Sequence, residues 1–141
     1  MEDNLSLLYQ DVILEHNRAP LFYEKRPDAQ CVIEAYNPLC GDKFKLYLDI
    51  DGENIAAATF HGYGCAVSKA STSVLMRNIQ GQALKQLPSL MDGFLKMVEN
   101  GTEAQLSDPE MATFLMAHQF PSRKKCAVLS WQALKDWMTD R

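Results

Sequence analysis

The alternation of apolar and polar positions is cleanest between Lys43 and Ile50, where Phe44, Leu46, Leu48 and Ile50 interleave with Lys43, Lys45, Tyr47 and Asp49. A period of two marks a strand with one face buried. Asp51-Gly52 follows as a turn signal, so Ile55 to His61 reads as the returning strand. Upstream, Cys31-Val32-Ile33-Glu34-Ala35-Tyr36 reads as a third strand, reached through a polar, proline-containing stretch from Glu24 to Gln30. Three strands joined in this way predict a small antiparallel sheet.

Elsewhere the period is helical. Leu5, Leu8, Val12, Ile13 and His16 fall near one face of a helix predicted from about Leu5 to His16, which Pro20 ends. Gly62-Tyr63-Gly64 reads as a flexible break. The helix after it, from about Ala66 to Ile79, is rich in Ala and Ser, small residues that allow close packing. Pro88 and Gly101 bracket a helix carrying Leu90, Phe94, Met97 and Val98. Ser107-Asp108-Pro109-Glu110 matches a capping box, which predicts a helix burying Met111, Phe114 and Leu115. The last helix runs from about Ser122 to Met138, with Leu129, Trp131, Leu134, Trp137 and Met138 supplying bulk. No repeat, low-complexity tract or linker interrupts the order, so residues 1–141 read as one domain. Strands first and helices afterwards predict an α+β fold, a three-stranded antiparallel sheet covered by helices on one face.

Composition narrows the function classes. A chain of 141 residues can bury a core without disulfides. Its net charge of −4 gives no support to a nucleic-acid partner, and suits a protein that meets other proteins. The opening Met1-Glu2-Asp3-Asn4 is acidic where a secretory signal would be basic. No apolar run approaches the ~18 residues of a membrane span. The expected compartment is a reducing cytoplasm, with no membrane partner. There the four cysteines, 31, 40, 65 and 126, point to metal binding or thiol chemistry in preference to disulfides.

Three of these cysteines stand alone in distinctive phrases: Asn37-Pro38-Leu39-Cys40-Gly41-Asp42, Gly62-Tyr63-Gly64-Cys65-Ala66 and Phe120-Pro121-Ser122-Arg123-Lys124-Lys125-Cys126. Three thiolates and the Asp42 carboxylate can close a tetrahedral zinc site, and thiolates are also the atoms that accept sulfur. Such a donor set suits zinc or iron–sulfur chemistry, not magnesium or calcium. Cys65 just before a helix and Cys126 in the first turn of the last one are expected to ionise readily.

Other readings stand beside this one. Asp42 alone is also an ordinary turn residue after Gly41, and the tight Cys-x-x-Cys pairs of zinc ribbons are absent. Cys31 reads as a small core residue. His61, four residues before Cys65, allows a thiol–imidazole pair. His16 and His118 read as packed or solvent-facing. Arg123-Lys124-Lys125 is either a solvated helix start or a docking patch for an acidic partner. No His-x-Glu motif of a zinc deaminase is present.

Taken together, the three phrases and the helix Leu8-Tyr9-Gln10-Asp11-Val12-Ile13-Leu14-Glu15-His16 resemble the U-type iron–sulfur assembly proteins, the family of SufU, IscU and the N-terminal domain of NifU. The likeness runs across nearly the whole chain. Two features look like the SufU branch: Lys125 precedes the third cysteine where IscU typically carries a histidine, and Gly81 to Gly101 looks like an extra segment. The resemblance implies zinc held by Cys40, Asp42, Cys65 and Cys126. It also implies that Cys40 is the nucleophile accepting sulfane sulfur from a cysteine desulfurase of the SufS type, with downstream iron–sulfur scaffold proteins as further partners. The competing implication is a scaffold on which iron or a transient [2Fe–2S] cluster occupies the same residues.

Overall fold

The computed structural model describes residues 11–39, 41–102 and 108–141. The helical periodicity around His16 appears as helix α1, at 11–18, with Ala19 N–H still bonded to Glu15 O. The part of that prediction before residue 11 lies outside the described residues, as do Cys40 and Ser107.

Strands β1 (Cys31–Asn37), β2 (Asp42–Asp51) and β3 (Asn54–Tyr63) form an antiparallel sheet in the order β1-β2-β3. The period-two pattern fixes its register. Ile33, Leu46 and Phe60 share one rung, and Ala35 and Phe44 share the next. All five are buried. The intervening rungs, Glu34 with Lys45 and His61, then Tyr36 with Lys43 and Tyr63, fall on the other face. The alternation fails at Ile50, which is only half-buried. A register shift between Asp49 and Ile50 sets two residues of one strand against an uneven partner there.

Helices then cover the inner face. Helix α2 (Ala66–Ile79) packs against β3 and against α4 (Pro121–Asp140), which also covers β1, and α3 (Leu87–Asn100) packs on α4. The small residues of α2 let α4 approach through a buried polar seam. Ser71 Oγ donates to Ala127 O at 2.5 Å and accepts from Trp131 Nε1 at 2.8 Å, while the Thr72 and Ser130 hydroxyls meet at 2.7 Å. Every buried hydroxyl in this seam has a partner, which removes the cost of desolvating it. Trp131 in turn stacks on Phe94 of α3 with ring centres 3.8 Å apart and planes 8° from parallel.

One predicted helix differs in detail and another ends where expected. The stretch Pro109–Gln119 is a tight 3-10 helix, not an α-helix, and it buries Met111 and Phe114 but leaves Leu115 half-exposed. Its cap is Asp108, whose carboxylate accepts from Glu110 N–H at 3.0 Å. Helix α3 ends as predicted, with Gly101 left-handed at φ 71° and a carbon added there falling 2.3 Å from the His118 ring.

Among the described residues no helix is long and apolar enough to cross a membrane.

Candidate metal centre

The candidate metal centre is built where β2 begins, where β3 hands over to α2, and near the start of α4. Asp42 opens β2 on the same face as Phe44, so its side chain points inward and is 2% exposed. Cys65 is the N-cap of α2, in extended conformation, and its sulfur accepts from Ser68 N–H at 3.4 Å. Ser68 also donates its hydroxyl to Cys65 O at 3.1 Å, with its oxygen 3.5 Å from the sulfur. Cys126 sits on the buried face of α4.

Gly62-Tyr63-Gly64 is not the flexible break its composition predicts. A carbon added to Gly62 would fall 2.2 Å from Lys43 O, and one added to Gly64 would meet Ser68 Oγ at 2.6 Å and the Phe44 ring at 2.8 Å. Both glycines permit close approach, pressing the Cys65 turn onto β2. That approach lets Cys65 N–H donate to Asp42 Oδ1 at 3.0 Å.

The ligand atoms of Asp42, Cys65 and Cys126 all lie within 4.8 Å of one another. Cys65 is exposed, and the other two are buried beneath it. The donor set fits a thiophilic metal. Asp42 Oδ2 is buried with no hydrogen-bond partner, a state that costs stability unless a cation or donor meets it. Zinc–sulfur bonds of about 2.3 Å would set tetrahedral ligand atoms about 3.8 Å apart, which falls inside the 4.8 Å limit that these three atoms meet.

Without a bound cation, the expectation that Cys126 ionises readily does not hold. Burial, reinforced by the neighbouring Cys65 thiol and Asp42 carboxylate, pushes its pKa well above the ordinary thiol range. The helix-dipole argument fails because α4 starts at Pro121, which puts Cys126 beyond the first turn, where the dipole's effect fades. A bound cation is what would offset such a crowded set of acidic groups.

His61 does not join the cluster; it projects from the outer face of the sheet and lies 4.7 Å from the Tyr23 ring, centre to centre. Cys31 is half-buried and packs at the edge of the core. His16 is buried, bonded to Ser73 Oγ at 2.8 Å and Glu110 Oε1 at 2.7 Å. His118 Nδ1 lies 3.1 Å from Val98 O. Of the basic run, Arg123 stacks over Phe120, Lys124 pairs with Glu99 at 3.6 Å, and Lys125 is exposed. Sequence reasoning missed Ser68. Its position three residues after Cys65, where a helix N-cap accepts a backbone bond, was the available signal.

The family described as NifU-like N terminal domain matches residues 8–140. The zinc-dependent sulfurtransferase SufU of Bacillus subtilis is 35% identical over 135 residues, which is 94% of this chain and 90% of that protein. The iron-sulfur cluster assembly scaffold protein IscU of Thermotoga maritima is 32% identical over 132 residues, 92% of each. A Fervidobacterium islandicum crystal structure, described as a candidate SUF-system iron-sulfur cluster assembly scaffold, superposes with a TM-score of 0.82 at 30% identity, covering 88% of this chain and 91% of that one.

Proposed function

Because the chain belongs to the NifU-like N terminal domain family, the family of the iron–sulfur assembly proteins IscU and SufU, we propose that it is a zinc-dependent sulfur acceptor in cluster biogenesis. Cys40, Asp42, Cys65 and Cys126 are the proposed ligands, and the sulfur donor is a cysteine desulfurase of the SufS type in a reducing cytoplasm. The observation that carries this reading is the convergence of Asp42, Cys65 and Cys126 around an unpartnered buried carboxylate oxygen.

Zinc bound there would hold the thiols as thiolates and balance the buried carboxylate. Asp42 keeps the Cys65 turn in place through its bond to the Cys65 amide. Ser68 orients the Cys65 sulfur through its own amide. Cys40 is the nucleophile. Its thiolate attacks the outer sulfur of the desulfurase persulfide; the sulfur–sulfur bond of the donor breaks, the donor cysteine leaves as thiolate, and a new persulfide forms on Cys40.

The test is sulfide release from cysteine by purified desulfurase, with and without this protein. Zinc-loaded wild type should stimulate the reaction, and Cys40→Ala should abolish the stimulation while remaining folded. Stimulation by Cys40→Ala at the wild-type level would rule out the acceptor role. The IscU relatives support a second reading, a scaffold for a transient [2Fe–2S] cluster on the same residues. Anaerobic reconstitution separates the two: a labile, visibly absorbing cluster favours the scaffold, and one tightly held zinc favours sulfur transfer.

A further inference from the structure

The outer face of the sheet carries a feature that sulfur transfer does not use. Around Lys43, Lys45 and His61 lies a cleft of about 350 Å³, which Lys25 also lines. Its lining contains no carboxylate, although the whole chain carries a net charge of −4. Of the acids around it, Glu34 lies 3.8 Å from Lys43 and Asp49 is bonded to Arg26, while Glu24 precedes Lys25 in the chain. Among the described residues neither Lys25 nor Lys45 is in an ion pair. Tyr47, almost fully buried, and Tyr63, largely exposed, supply apolar walls.

The cations are spread along the sheet instead of converging on a point. Lys43 and Lys45 are two residues apart on one strand, so their side chains leave the same face about 6.7 Å apart. His61 stands opposite Lys45, and Tyr63 opposite Lys43. Lys25 flanks this ladder from a segment tied to β3 by Glu24 N–H to Phe60 O at 2.9 Å. A single phosphate cannot span such a row. An extended chain, by contrast, presents every second side chain at the same repeat. The geometry points to an acidic, extended segment of a partner protein as the occupant of this cleft, its alternate carboxylates matched to Lys43 and Lys45. The cleft reaches Tyr63 at the end of the sheet where β2 begins, and the inward-facing Asp42 side chain lies on the opposite face.

The probe is a labelled peptide of alternating glutamate and threonine, with a glutamine–threonine peptide as control, read by fluorescence anisotropy on the full chain. The acidic peptide should bind, and its affinity should fall steeply between ionic strengths of about 0.01 and 0.15 M. Lys25→Glu, outside the strands, and the double variant Lys43→Gln/Lys45→Gln should each weaken binding by about tenfold. Lys85→Glu, an equal charge change elsewhere, should leave it within about twofold. Equal weakening by Lys85→Glu, or binding of the glutamine peptide as tightly as the acidic one, would overturn the proposal. So would absence of binding to wild type, or saturable displacement of the peptide by inorganic phosphate at matched ionic strength, which would mark a small-anion site.

Discussion

Asp42 accepts a hydrogen bond from the Cys65 amide through one carboxylate oxygen at 3.0 Å and leaves the other buried without a partner. The first oxygen holds the turn together; the second is free to meet a cation. The two roles respond differently to substitution.

Asp42→Asn keeps an acceptor for the Cys65 amide and removes the charge. Stripped of metal, this variant should be more stable than stripped wild type by about 1 kcal/mol, because an uncompensated buried carboxylate has been relieved. Loaded with zinc, the order should reverse. Zinc retention should fall less in Asp42→Ala than in Cys65→Ser or Cys126→Ser. Urea unfolding with and without chelator, alongside metal analysis, checks both statements. If stripped Asp42→Asn were less stable than stripped wild type, Asp42 would be a turn residue only.

Gly62 and Gly52 separate close approach from backbone preference. Both have positive φ, 147° and 65°, but a carbon at Gly62 falls 2.2 Å from Lys43 O while Gly52 faces open space. Gly62→Ala should cost at least about 2 kcal/mol of stability. It should also weaken zinc binding, since it pushes Cys65 away from Asp42. Gly52→Ala should cost about 1 kcal/mol and leave zinc binding unchanged. Similar urea midpoints for the two variants would contradict the close packing assigned to Gly62.

The Asp108 carboxylate gives a pH dependence away from the metal centre. Burial pushes its pKa up, but the Arg77 guanidinium, the Asn78 amide and the Glu110 backbone amide outweigh burial and hold it below the usual carboxylate range. A folded-state pKa below the unfolded value means that the unfolded chain takes up the proton first on acidification. The contribution of Asp108 is therefore fully present above about pH 4 and is lost as pH falls through its folded value. The stability gap between wild type and Asp108→Asn should be widest near neutral pH and close on acidification. A gap that widens in acid would reverse the sign of this account.

The elements with a single strong period were readable in the chain. The alternation from Lys43 to Leu46 fixed β2 and its inner face, although Tyr47 on the other face is buried as well, and the predicted bounds of α2, Ala66 to Ile79, match the helix found. Gly101 marked the end of α3. What the sequence could not carry depends on distant partners. Nothing local announces that Gly62 must clear Lys43 O, or that His16 bonds Ser73 and Glu110 across three elements. The site shows the same division. Its residues were marked by three isolated cysteine phrases, and Asp42 and Cys65 are placed by local structure, one at a strand start and the other at a helix N-cap. The raised Cys126 thiol pKa comes from burial and from Cys65 and Asp42, which only the folded chain brings close.

The most direct test of the account is X-ray absorption at the zinc edge of the metal-loaded protein. Three sulfur neighbours at about 2.3 Å and one oxygen at about 2.0 Å are predicted, with the sulfur count falling in Cys65→Ser and again in Cys65→Ser/Cys126→Ser. A zinc shell of nitrogen and oxygen alone, or one unchanged by those substitutions, would contradict it.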